Sequence, residues 1–193
     1  MIRAPYRPQE VSLFSKSSRI LLLALLATAA LFLACRGEEE YAEPEAFSFV
    51  VYPNSRYLGQ LTEATKRAHK TLKPNEEPPP TAIYDTDAPV EEVAKFYAKA
   101  YGYETVAADA TNNLSSAKPP AYYRAGDLSA DVHAIEPLLK QMNMPTDVSK
   151  AQGSYKAADI EPRPNRPRVV VQRPYFDVTT SQVVDKTLIL MTR

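Results

Sequence analysis

The chain contains one cysteine, Cys35, so it can form neither an internal disulfide nor a cysteine-based metal site. Tryptophan is absent, and the only histidines are His69 and His133, which leaves few side chains suited to general-base work. Five glycines stand against 17 prolines, so the loops should be stiff rather than supple. There is no G-x-G-x-x-G or other phosphate loop, no G-x-S-x-G nucleophile elbow and no repeat period. An excess of positive charge is missing too. Residues 1–34 hold four of the 23 bases and one of the 23 acids, so the remainder carries 19 against 22, a net of −3. A domain of that sign lacks the general attraction to phosphate on which nucleic-acid binders depend, and nucleic acid is not expected as a partner.

A hydrophobic content of 45% is enough to close a globular core. Residues 20–34 form an apolar run interrupted only by Thr28. As a helix these fifteen residues would reach about 22 Å, short of the ~30 Å hydrocarbon layer of a membrane. A basic stretch ending in Arg19, a leucine-rich run and then small residues make up a signal-peptide layout. The run ends Leu31-Phe32-Leu33-Ala34-Cys35, which resembles the bacterial lipobox, where a small residue precedes a cysteine that is acylated and becomes residue one. Ala34 and Cys35 match; Phe32 and Leu33 depart from the preferred leucine and small residue. The resemblance implies a signal peptide over 1–34, lipid on Cys35 and attachment to a membrane through that lipid. Arg36, rather than an aspartate, follows the cysteine, which by the same resemblance implies the outer membrane, facing the periplasm. Residues 35–46 carry five glutamates and read as a lipidated acidic tether.

Residues 47–193 read as a single globular α+β domain, with a mostly antiparallel sheet and two or three helices packed on one face. Residues 47–52 are aromatic and β-branched and predict a strand. Leu58, Leu61, Thr65, Ala68 and Leu72 recur at helical steps until Pro74. After the connector at 75–80, residues 81–84 read as a strand. A second helix follows, with Asp87 as its expected N-cap, Pro89 in the first turn and Gly102 as its stop. Its apolar face comprises Val90, Val93, Ala94, Phe96, Tyr97, Ala100 and Tyr101. Residues 103–107 are expected to return as a strand, 109–120 to form a loop, and 122–124 to form a short edge strand. A third helix from Ser129 contains Pro137, and residues 168–173 and 187–192 supply the last two strands. The stretch 52–103, with its Asp-Thr-Asp-Ala-Pro-Val-Glu-Glu-Val-Ala-Lys-Phe-Tyr helix, resembles small exported domains of unassigned function in bacterial lipoproteins. That resemblance implies kinship of fold without an activity.

Several groups invite a chemical reading. Asp127, Asp131 and His133 combine two carboxylates and an imidazole within seven residues, but on a helix Asp131 and His133 project about 200° apart. Capping explains them more simply, and no metal is expected. Asp85 and Asp87 resemble the start of a calcium loop, yet the glycine and the closing glutamate are missing. His69, between Arg67 and Lys70, reads as a solvated surface residue. Twelve tyrosines raise the possibility of a stacking face at Tyr122, Tyr123, Tyr155 and Tyr175, with wall packing preferred. No catalytic residue and no cofactor is assigned.

The cluster that stands out is Arg163, Arg166, Arg168 and Arg173 in the basic, proline-stiffened run 163–173, with Arg124 as a possible sheet neighbour; Arg163, Arg166 and Arg168 are the expected partner-binding residues. Guanidinium groups grip carboxylates and phosphates bidentately. The expectation is a non-enzymatic, lipid-anchored binding module whose arginine loop contacts an acidic envelope protein or polymer. The alternative is a small periplasmic ligand-binding or hydrolytic domain. A buried concave site with convergent polar groups favours the alternative, and a flat surface with one exposed apolar or basic patch favours the module.

Overall fold

The computed structural model describes residues 51–108 and 119–193, all within the unit Tyr41–Arg193. The signal peptide, Cys35, the acidic tether, residues 47–50 of the first expected strand and most of the 109–120 loop lie outside the described residues. The described residues form eight strands: β1 (Arg56–Tyr57), β2 (Thr81–Thr86), β3 (Ala121–Asp127), β4 (Ser154–Ile160), β5 (Arg168–Arg173), β6 (Tyr175–Asp177), β7 (Gln182–Val184) and β8 (Thr187–Thr192). The helices are α1 (Gly59–Leu72), α2 (Val90–Ala100) and α3 (Leu128–Gln141). Six strands form one sheet in the order β1-β2-β8-β5-β4-β3, every neighbouring pair antiparallel, and β6 and β7 form a separate hairpin. The α+β class and the antiparallel sheet are as expected.

The helices do not share one face, as the sequence led us to expect, but divide between the two faces of the sheet. α2 covers the face built by Ala82, Tyr84, Ala158, Ile160, Val169, Val171, Ile189 and Met191, to which it adds Val93, Ala94 and Tyr97. α1 and α3 are in contact and share the opposite face, where Leu128 and Val132 pack with Tyr155, Ala157 and Phe176. Covering both faces explains why β2 is buried along its whole length and lacks an alternating pattern.

β1 is only two residues long, which leaves the backbone of β2 open at Ile83. α1 closes it: Leu58 N–H donates to the Ile83 carbonyl at 2.8 Å, and Ile83 N–H donates to the buried Thr62 hydroxyl at 3.1 Å. A free sheet edge is a site for unwanted strand pairing, and this helix removes it. Thr62 and Ala64 are therefore the buried members of α1, while Leu72, which the helical stripe placed inside, is 66% exposed.

The ends of α2 separate a correct expectation from an incorrect one. Gly102 adopts φ +74 and closes a Schellman motif, with Gly102 N–H donating to Lys99 O at 3.1 Å and Tyr103 N–H to Ala98 O at 2.8 Å. Asp87 is not the N-cap. Pro89 holds that position without a side-chain capping bond, and the exposed Asp87 carboxylate sits 3.2 Å from Lys186. Two residues upstream of the cap, Asp87 is too far back to reach the first free N–H groups. Glu91 and Glu92 alone supply negative charge to the first turn.

Residues 103–107 form no strand; only Ala107 makes a bridge, to Tyr122. The 122–124 strand does lie at the sheet edge but runs from Ala121 to Asp127. In it, Gly126 faces Tyr155 on β4, whose ring lies over the glycine, and a Cβ added there would come within 2.3 Å of the ring. An aromatic ring covering an edge glycine stabilises a strand that has no side chain of its own to pack. Gly126→Ala is expected to displace the Tyr155 ring and destabilise the domain by about 1–2 kcal/mol in urea unfolding. An unchanged midpoint would show that the ring contributes nothing at this position.

Candidate functional site

The residues 161–167 connect β4 to β5 and form a tight turn: Asn165 takes φ +63, and Arg166 N–H donates to the Arg163 carbonyl at 2.9 Å. Asparagine tolerates that left-handed conformation better than most residues. Two tyrosines that follow from α2 hold the turn at both ends. Tyr101 donates its hydroxyl to Pro167 O at 2.9 Å and Tyr103 donates to Glu161 O at 3.0 Å. Burial pushes the Tyr101 phenol up to about 12, with Arg166 opposing, so it remains a donor at neutral pH.

The same rings carry the arginines. The Arg163 guanidinium lies 4.5 Å from the centroid of Tyr103, and that of Arg166 lies 5.3 Å from the centroid of Tyr101. Cation–π contact orients a guanidinium while leaving its N–H edges free to donate. Arg168, at the start of β5, is held differently: its Nη2 is 2.5 Å from Asp159 on β4. Burial lowers the Arg168 pKa, but the hydrogen bond and charge of Asp159 outweigh it and the net shift is upward. Arg163, Arg166 and Arg168, with Pro162, Asn165, Thr192 and Arg193, line an open basin of about 490 Å³. Among the described residues no acidic side chain lines it.

The other two arginines do not join this basin. Arg173 binds Asp185 at 2.8 Å and the Asp87 carbonyl at 2.9 Å. Arg124 lies on the far side of Asp159, with Nε 2.7 Å from Oδ2, and its Nη1 donates to the Tyr155 hydroxyl at 2.7 Å. Asp159, 3% exposed, thus links two arginines from separate strands. The sequence gives no local sign of this link, because Asp159 stands in an Ala-Ala-Asp-Ile stretch.

The remaining candidates have structural employment. Asp127 caps α3 by accepting from Ala130 N–H at 2.8 Å. Asp131 accepts from the Tyr155 hydroxyl at 2.5 Å, and His133 Nδ1 lies 2.7 Å from the Ser129 carbonyl of its own helix. Among the described residues no group of three or more His, Cys, Asp or Glu is placed to share a metal ion. Asp85 is a buried carboxylate gripped by Arg56 Nη2 at 2.7 Å and by the Tyr175 hydroxyl at 3.1 Å. Tyr122, Tyr155 and Tyr175 are buried and Tyr123 is half-buried, so these rings are walls rather than an open stacking face. His69 is not fully solvated: it is half-buried, and its Nε2 lies beneath the surface of α1.

None of the described helices is long and apolar enough to cross a membrane. In comparisons with protein-family models, with curated proteins and with solved structures, the chain has no match.

Proposed function

We propose that this chain is a lipid-anchored envelope protein that acts as a non-enzymatic binding module, with Cys35 as the lipidated residue and the arginine turn as its contact with an anionic partner. The reading rests on one observation above the others: Arg163 and Arg166 are stacked on Tyr103 and Tyr101 in a turn whose ends those tyrosines also bind. Long cationic side chains normally lose rotamer freedom on binding, and stacking reduces that loss beforehand. An acidic protein or polymer of the envelope is the chemical class that fits, since several guanidinium groups on one basin can engage several carboxylates or phosphates together.

The experiment is a pull-down from envelope extract with the wild-type chain and with Arg163, Arg166 and Arg168 all replaced by alanine. The wild type is expected to retain an acidic partner that is released as salt rises, since exposed charge pairs are screened over about 8–10 Å at ordinary ionic strength. The triple variant is expected to lose it while remaining folded, with a lowered melting point because Arg168→Ala takes one partner from the buried Asp159. Retention of every partner by a folded triple variant would remove the arginine turn from the proposal. The anchor is checked in the same cells by fatty-acid labelling: Cys35→Ser is expected to abolish incorporation, and persistent labelling would refute the lipidation.

A further inference from the structure

On the face of the sheet turned away from α2, an apolar trough of about 380 Å³ runs between α1 and α3. That volume falls within the range of small-molecule sites. Its floor is the half of β8 that the fold leaves uncovered: Thr187, Ile189 and Met191 are buried, but Leu188 and Leu190 between them are only half-buried. Leu61, Ala64 and Ala68 form the α1 wall, and the two alanines leave open the space that larger side chains would fill. Along α3 the wall continues through Val132, Ile135 and Leu139, from Leu128 to Met142, a length of about 21 Å. Ile135 stands 40% exposed at its lip.

The polar side chains on these walls are already engaged. Thr65 donates to Leu61 O at 2.9 Å, Tyr175 to Asp85 at 3.1 Å and Gln172 to Pro174 O at 3.3 Å, while Asp131 accepts from Tyr155 at 2.5 Å. An occupant therefore meets apolar surface with little call for hydrogen bonding, and a ligand rich in polar groups would leave them unsatisfied. α1 and α3 are in contact, so a partner helix about 10 Å across has no room between them. Asp131 is the single charged residue on the walls, and it is solvent-exposed, which places negative charge at the mouth.

We infer that this trough binds one hydrocarbon chain of an amphiphile whose head group is neutral or cationic. The aliphatic walls take the chain, the length of α3 accommodates it extended, and Asp131 disfavours an anionic head. This site is separate from the arginine basin and does not depend on its function.

The test is equilibrium dialysis of the full-length chain against radiolabelled 1-octanol, 1-decanol and decanoate at pH 8. One saturable site is expected, with decanol bound roughly tenfold tighter than octanol because two more methylenes are buried. Ala68→Phe, which fills the trough, is expected to weaken decanol roughly tenfold while preserving the melting midpoint. Decanoate is expected to bind more weakly than decanol, and Asp131→Asn should narrow that ratio. The inference is overturned by absence of saturable uptake, by affinity independent of chain length, or by undiminished binding to a folded Ala68→Phe chain. If Ala68→Phe does not fold, an unchanged decanol-to-decanoate ratio in Asp131→Asn overturns it. A stable dimer that excludes decanol would assign the trough to a second copy instead.

Discussion

Tyr97→Ala is expected to destabilise the domain by about 3–5 kcal/mol, the range for truncating a buried aromatic. Tyr97 is 1% exposed on the sheet-facing side of α2, and its ring meets Phe96 and Tyr101 edge-on at centroid distances of 5.1 and 6.4 Å. Its hydroxyl accepts the Tyr52 N–H at 3.0 Å. Burial raises the phenol's pKa above its ordinary value, so the group stays neutral inside the core. Truncation would open a cavity and orphan that N–H together. Native domains are stable by only about 5–15 kcal/mol, so such a loss could consume most of the margin. Tyr97→Phe, which keeps the ring, should cost about 1 kcal/mol. Lys95→Ala, on the exposed side, should stay within about 0.5 kcal/mol. Urea unfolding followed by circular dichroism measures all three, and equal losses for Lys95→Ala and Tyr97→Ala would mean that another face of α2 meets the sheet.

Asp159→Ala is the second large effect expected, at about 2–3 kcal/mol. Removing the carboxylate leaves Arg124 and Arg168 facing each other across the space it occupied. Full burial of an unpaired charge costs about 3–5 kcal/mol, but the Arg124 and Arg168 side chains are 28% and 49% exposed and can recover part of their hydration. A double-mutant cycle tests the origin of the loss. Arg124→Ala combined with Asp159→Ala should cost clearly less than the two single losses added together. Additive losses would show that Asp159 stabilises through packing and not through its arginine partners.

How much was legible in advance differs with the range of the interaction. The helical stripe of α2 was readable, and so was its stop at Gly102, because a helix carries its period and its caps within a few residues. Even there the stripe did not separate Tyr97, which is buried, from Phe96, which is only half-buried. Both lie on the apolar side, but only Tyr97 points at the sheet, and that depends on where the helix is set down. The Asp87 cap failed by position: the residue type was right, but the helix begins at Val90 with Pro89 as its cap, two residues beyond Asp87.

β4 shows the opposite limit. Ser-Tyr-Lys-Ala-Ala-Asp-Ile contains two alanines, a lysine and an aspartate, none of them favoured in strands, yet it pairs with β3 on one side and β5 on the other. Its strand character comes from those neighbours. The arginine turn falls between the extremes. Its charge and prolines stood out in the chain, whereas the tyrosine platform came from 58 to 66 residues upstream.

By itself the sequence determined what short-range chemistry determines: the α+β class, the existence of amphipathic helices such as α2, the stiff proline connectors and the absence of a cysteine framework. Tertiary structure alone decided that α2 and the α1–α3 pair lie on opposite faces, that Asp159 joins two arginines, and that a trough remains open over Leu188 and Leu190. Periodicity and capping act over one or two helical turns, so they are written in neighbouring residues. Burial, ion pairing and cavities depend on which distant segments meet, and that is settled only when the sheet assembles its strands in an order the chain does not follow.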